Sequence, residues 1–293
     1  MMTSKSSIQF LKQKISNPQE FLVLPGVFDA LSARITEITG FEAIFQTGYG
    51  SSATVLGMPD FGFLNAGETM DNARKIVRAV DIPVIVDIDT GYGNPLTVWR
   101  IVKDLRSIGA SGIFLEDQMW PKRCGHMAGK EIIPLDEYLL KLSAAIDARD
   151  DKDFIVVART DARATSGLDQ AIERGREYFK AGADVIFVEA PRSLEELKEI
   201  GSKIDAPLVA NMIEGGETPN LTASELHDLG FRIGVFPLSG LFASAFAMKR
   251  VFEELYRTGS TSGERENMIT FEEFNRLVNL QKYIDLERKY TSR

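Results

Sequence analysis

The chain of 293 residues holds one cysteine and two histidines. A single cysteine excludes an internal disulfide and suits a reducing compartment. Together with only two histidines it also cannot supply a usual zinc site. Basic residues are in the minority: 34 Lys and Arg stand against 42 Asp and Glu, a formal net charge of -8. Nothing in that balance supports nucleic-acid binding. No apolar run approaches the roughly 20 residues that a membrane span needs. Met1 to Ile15 is polar and lacks an apolar h-region, so no secretory signal is read there and a cytoplasmic location is expected. No Gly-x-Gly-x-x-Gly turn follows the first apolar run, and no P-loop is present. Low-complexity stretches and Pro/Gly/Ser-rich linkers are also missing, so residues 1–293 read as one domain.

What is present is a repeat. Gly40–Gln46, Gly109–Glu116, Gly182–Glu189 and Gly230–Pro237 each place a glycine just before a short apolar strand. A glycine there is the natural left-handed stop of a helix. Further apolar runs at Phe21–Leu24, Val84–Asp89, Phe154–Asp161 and Pro207–Met212 bring the number of strands to eight. Amphipathic stretches lie between most of them: Ala66–Val80, Leu96–Ile108, Asp136–Arg149, Leu168–Ala181 and Ser193–Lys203. Near-continuous apolar strands alternating with helices imply a parallel sheet. Eight such units predict an α/β fold, a (β/α)8 TIM barrel. An extension over about 241–293 adds helices at Leu241–Thr258 and Phe271–Arg288. The second carries Phe271, Phe274, Leu277, Val278, Leu280 and Tyr283, which cover either the chain's own barrel or another subunit.

In such a barrel the chemistry sits at the C-terminal strand ends. Those ends are polar here: Thr47-Gly48-Tyr49, Asp87 and Asp89, Glu116, Arg159 and Asp161, Glu189, and Asn211. Asp87 and Asp89 are two apart on a strand, so both side chains are expected on one side, where a cation would relieve their repulsion. Hard oxygen ligands suit Mg2+, with Mn2+ as a substitute and Glu116 acting through a water. The alternative is a solvated strand end. Arg159 is a natural partner for a substrate carboxylate, or else for Glu189 or Glu116. The Thr47–Tyr49 turn can offer backbone N–H groups to an anion. The only cysteine lies in Lys122-Arg123-Cys124-Gly125-His126, inside a long polar loop, Gln118–Pro134, that reads as a lid or as disorder. Basic neighbours favour a thiolate tuned for proton transfer. The plainer reading is a small buried hydrophobe.

Asp87-Ile-Asp89-Thr-Gly, Glu116-Asp-Gln, the Lys122–His126 segment, Ala158-Arg-Thr-Asp161 and Asn211-Met-Ile-Glu-Gly-Gly216 together resemble the isocitrate lyase / phosphoenolpyruvate mutase superfamily. The resemblance runs from about Phe21 to the C-terminal helices, and the cysteine segment marks the carbon–carbon lyase branch. It implies Mg2+-dependent cleavage of a 2-hydroxy dicarboxylate to pyruvate and a carboxylic acid, by a homotetramer that exchanges its last helices. Metal binding would fall to Asp87, Asp89 and, through water, Glu116. Cys124 would be the general acid, with Lys122, His126 and Arg159 beside it. Thr47, Gly48, Tyr49, Gly125, Arg159, Glu189 and Asn211 would hold the substrate. Within the branch the motifs are nearer to the alkylmalate lyases, of 2,3-dimethylmalate type, than to the methylisocitrate lyases. The arginines with which the latter bind a third carboxylate are matched here by Phe242 and Phe271. The alternatives are a 2-methylisocitrate lyase giving pyruvate and succinate, and an oxaloacetate decarboxylase or phosphonate mutase of the same superfamily.

Overall fold

A computed structural model describes residues 4–127, 129–150 and 153–291. Eight parallel strands close into a barrel in sequence order: β1 (Leu22–Val27), β2 (Ile44–Gln46), β3 (Val84–Asp87), β4 (Gly112–Glu116), β5 (Ile155–Thr160), β6 (Val185–Val188), β7 (Leu208–Asn211) and β8 (Ile233–Phe236). The helices are α1 (Ser4–Ser16), α2 (Ala30–Thr39), α3 (Gly48–Ser51), α4 (Ala66–Ala79), α5 (Pro95–Ile108), α6 (Leu135–Ala148) and α7 (Ala162–Ser166). They continue with α8 (Leu168–Lys180), α9 (Leu194–Lys203), α10 (Ala223–Asp228), α11 (Ser239–Thr258), α12 (Phe271–Leu277) and α13 (Leu280–Thr291). No helix among the described residues is long and apolar enough to cross a membrane.

The strand period of two divides the core. Leu22, Leu24, Phe45, Ile85, Phe114, Val157, Phe187, Val209 and Val235 form one buried cluster, inside the barrel. Their strand neighbours Ile44, Val84, Val86, Ile113, Leu115, Val156, Ile186 and Ala210 belong to the other cluster, against the helices. Helix α5 shows how the outer layer forms. Asn94 caps it by accepting from Leu96 and Thr97 N–H, and Pro95 occupies its first turn, where no N–H is needed. Val98, Ile101, Val102 and Leu105 face the sheet at helical spacing. Gly109 ends the helix at φ 96°, and the glycines opening the other three repeats also lie between 92° and 108°.

Two elements depart from the sequence reading. The polar N-terminus holds helix α1, whose Leu11 and Ile15 are buried with the inner strand residues and close the floor of the barrel. Only four of its thirteen residues are apolar, Ile8, Phe10, Leu11 and Ile15, and the lysines, serines and glutamines among them make the stretch read as polar. The stretch Phe271–Arg288 is two helices, not one. Asn279 breaks it at φ 58°, a conformation that asparagine tolerates better than most residues. No residue of α11, α12 or α13 is buried in the single chain.

Because Leu11 is fully buried in the barrel floor, Leu11→Ala is expected to cost about 2–5 kcal/mol. Urea unfolding checks this: the midpoint should fall, whereas an unchanged midpoint would mean α1 is not anchored there.

Candidate active site

The inward register of the strands continues one step beyond the apolar layers and becomes polar. Phe45, Ile85, Phe114, Val157 and Val209 are followed, two residues on, by Thr47, Asp87, Glu116, Arg159 and Asn211. The ring of Phe114 lies 4.5 Å from Phe45 and 6.0 Å from Phe187, and these aromatics floor the mouth. Above them is a cavity of about 50 Å3, walled by Thr47, Tyr49, Asp60, Asp87, Cys124, Gly125, Arg159 and Asn211, with Ile213, Val235, Pro237 and Leu238 on its apolar side. That space holds about one or two waters, so the mouth must open to take anything larger.

Arg159 organises one half of the mouth. Its guanidinium bonds Asp161 through Nε (2.9 Å) and Nη2 (3.1 Å), and pairs with Glu116 (3.2 Å) and Glu189 (3.3 Å). Its Cζ also stands 5.4 Å from the Phe187 ring centre. Burial alone would raise Glu189, but Arg159 and the His126 hydrogen bond pull it below the usual carboxylate range. Burial pushes Glu116 well up against the opposing pull of Arg159. Asn211 donates to both Glu189 oxygens. Both partners expected for Arg159 are therefore found, while its side chain still lines the cavity.

Acids crowd the other half. Gly48 has no Cβ, and one placed there would sit 2.8 Å from Asp87 Oδ2 and 3.2 Å from Asp89 Oδ1. Asp87 is pushed up to about 6 by burial and then by the Asp89 charge. The two carboxylates meet, but not through strand alternation as expected. Strand β3 ends at Asp87, and Asp89 turns back at φ 50°, with its N–H donated to Asp87 Oδ1. Glu116 Oε1 is buried with no hydrogen-bond partner. This oxygen-only donor set fits a Mg2+ ion that keeps several of its waters. It is not a closed cage: among the described residues no three His, Cys, Asp or Glu are gathered tightly enough to enclose an ion.

The loop Gln118–Pro134 is folded over this mouth in its described residues. Gln118 and Ile132 form an antiparallel bridge, and the Gln118 side chain holds the Arg123 backbone at both N–H and carbonyl. Lys122 reaches down to Asp60 (2.5 Å) and Asp89 (2.6 Å). Burial would lower its pKa, but the surrounding carboxylates, Asp89 first, raise it well above the ordinary lysine value. His126 Nδ1 accepts from Glu217 N–H (2.8 Å), which leaves the ring proton on Nε2, 3.0 Å from Glu189. Gly125 packs directly on the site: a Cβ there would lie 2.5 Å from Glu189 and 2.6 Å from Arg159 Nη2.

The thiolate expected for Cys124 is not what this setting favours. Lys122 is turned away to its carboxylates, and burial pushes the thiol up to about 11. The group is held protonated. The backbone donors expected of the Thr47–Tyr49 turn are partly taken, since Gly48 N–H donates to Asp87 Oδ2 (3.3 Å). Phe242 and Phe271 do not line the cavity. Two contributors were missed in the sequence. Asp60 stands in the loop after β2, which in a barrel belongs to the mouth, so its position was a usable signal. Lys130 follows Gly129 in the lid and carried no signal of its own.

The chain matches the phosphoenolpyruvate phosphomutase family over residues 11–256. It is similar to the carboxyvinyl-carboxyphosphonate phosphorylmutase of Arabidopsis thaliana, at 48% identity across 100% of this chain and 87% of that protein. Similarity to the 2,3-dimethylmalate lyase of Eubacterium barkeri is 42% identity across 96% of this chain and 97% of that protein. A crystal structure of 2,3-dimethylmalate lyase superposes with a TM-score of 0.92 at 36% identity, covering 99% of this chain and 96% of that one. A phosphonopyruvate hydrolase solved with oxalate and Mg2+ superposes at 0.87 with 28% identity, covering 99% of both chains. The chain belongs to the phosphoenolpyruvate mutase/isocitrate lyase superfamily.

Proposed function

We propose that this protein is a Mg2+-dependent carbon–carbon lyase that cleaves a 2-hydroxy dicarboxylate of the alkylmalate type to pyruvate and a second carboxylic acid. The observation that carries the reading is Cys124, a half-buried thiol whose pKa is pushed up to about 11 by its enclosure, in the wall of the cavity that Arg159 and Asp87 also line. A thiol held protonated is an acid ready to quench a carbanion.

Mg2+ held by Asp87 and Asp89, with Glu116 through a water, would supply Lewis-acid stabilisation of negative charge on the 2-oxygen. Arg159 and the Thr47–Tyr49 turn hold the carboxylates. Asp60, raised by burial, takes the hydroxyl proton. The C2–C3 bond breaks, and its electron pair stays on the carbon beside the departing carboxylate. Carbon 2 becomes the carbonyl of pyruvate. The Cys124 thiol gives its proton to the carbanion, and the thiolate recovers one from water when the lid lifts. Lys122 fixes Asp60 and Asp89, His126 fixes Glu189, and Glu189 with Asn211 positions the substrate.

A two-carboxylate substrate suits the walls. Arg159 is the one cationic side chain among the described residues lining the cavity, and Ile213, Val235, Pro237 and Leu238 offer an apolar face to alkyl groups. The similarity to the Arabidopsis carboxyvinyl-carboxyphosphonate phosphorylmutase favours a second reading, phosphonate chemistry. Such a reaction has no need of a thiol acid.

The test is pyruvate release with Mg2+ from 2-methylmalate, 2,3-dimethylmalate and 2-methylisocitrate. The malates should be preferred. Preference for 2-methylisocitrate would overturn the two-carboxylate argument, and no pyruvate from any of them would favour the phosphonate reading. Cys124→Ser should lower turnover by about 10²-fold or more and leave Mg2+ affinity, measured by calorimetry, nearly unchanged; full activity in this variant would sink the acid role. The wild-type pH profile should show no alkaline loss from the thiol until the pH approaches 11. The exposed apolar faces of α11 to α13, with Phe246 65% and Phe271 84% exposed, are proposed to pack against further copies in a homotetramer. Light scattering should then give four chains, and a monomer would refute it.

A further inference from the structure

Lys130 is a lid residue without a part in the proposed chemistry, yet its side chain is only 2% exposed. A lysine is rarely buried unless paired. Its Nζ donates to Asp161 Oδ1 at 2.7 Å and to the carbonyl of Gly125. Asp161 follows β5, a fixed part of the barrel, and the same carboxylate takes both Nε and Nη2 of Arg159. Gly125 adjoins Cys124 and packs on Glu189 and Arg159. One ammonium group therefore ties the far limb of the lid to the barrel and to the backbone next to the thiol.

The alternative anchors differ in kind. Lys122 and His126 end on Asp60, Asp89 and Glu189, groups of the cavity or its rim, where the proposed substrate and metal would bind. Asp161 is already satisfied: it also accepts through Oδ2 from Arg159, and its backbone N–H goes to buried Asp117. Burial would raise the Asp161 carboxyl, but Arg159 and then Lys130 hold it below its ordinary value, so it stays charged. Beyond Lys130 the lid borders an outer cleft of about 180 Å3, lined also by His126, Thr165 and Arg192.

We infer that Lys130 is a positioning residue, a latch on Asp161 that holds the lid closed with Cys124 at the cavity wall. Closing the lid forms the Lys130–Asp161 bond and shields the thiol. Opening it breaks this bond and exposes the thiol, while Asp161 keeps Arg159 in place.

The sole cysteine of the 293 residues makes the test direct, because alkylation of this chain reports one site. Iodoacetamide labelling at pH 8 should speed up in Lys130→Met by about tenfold or more, the factor expected from losing one charge-assisted hydrogen bond. Lys130→Gln, which removes the charge but keeps a donor, should shift labelling in the same direction, and Lys130→Arg should label at nearly the wild-type rate. Amide hydrogen exchange should accelerate within 118–134 and stay unchanged in β4 and β5. Wild-type labelling rates in both Lys130→Met and Lys130→Gln would overturn the latch. So would Lys130→Arg labelling as fast as Lys130→Met, or exchange that rises equally across the barrel strands, which is the signature of lost global stability. The readout is thiol and amide chemistry, not turnover, so its failure would leave the lyase reading standing.

Discussion

The mouth of this barrel depends on one buried guanidinium. Arg159 lies against three carboxylates, Glu116, Asp161 and Glu189, two of which are fully buried at 0% exposure. Buried charges of this kind persist only when paired and hydrogen-bonded. Removing Arg159 would leave three acids facing one another in a poorly solvated space. Its own position is set by β5, where an arginine follows inward-facing Val157 by two residues. The apolar layers below and the acids around it thus fix a cation at the base of the site before any substrate arrives.

The remaining electrostatics follows from an excess of acid. Asp60, Asp87 and Glu116 all have raised pKa values, burial being the largest cause in each. Lys122 offsets part of that excess from above, so lid closure is also charge compensation. A divalent cation at Asp87 and Asp89 would offset more, and would compete with Lys122 for Asp89. The lid and the proposed metal site are therefore coupled through a shared carboxylate. The thiol is tuned by the same enclosure: the walls that raise the acids also keep Cys124 protonated.

Much of this was legible in the residues. The period-two strands, the glycine stops and the polar strand ends gave the barrel and most of its mouth, because these features are local and repeat. The Cys124 segment stood out because the chain has no other cysteine. Other parts were hidden for definite reasons. The raised pKa of Cys124 comes first from its enclosure under the folded lid, and sequence neighbours such as Lys122 are not its spatial partners. The meeting of Asp87 and Asp89 relies on a left-handed turn at Asp89 and a missing Cβ at Gly48, neither of which follows from the Asp-x-Asp spacing. The helix at the barrel floor draws its stability from tertiary burial of Leu11 and Ile15 rather than from its own weak amphipathic pattern.

The sequence by itself determined the alternation of elements, the inward and outward faces of each strand, and the residue types at the strand ends. These depend on backbone periodicity and on hydrophobic patterning along one segment at a time. Only the tertiary structure decided which acids share Arg159, which lysine of the lid reaches Asp89 and which reaches Asp161, and that burial raises the pKa of the Cys124 thiol. Those outcomes depend on distances between segments far apart in the chain and on the loss of solvent around them, and neither is encoded in any local stretch.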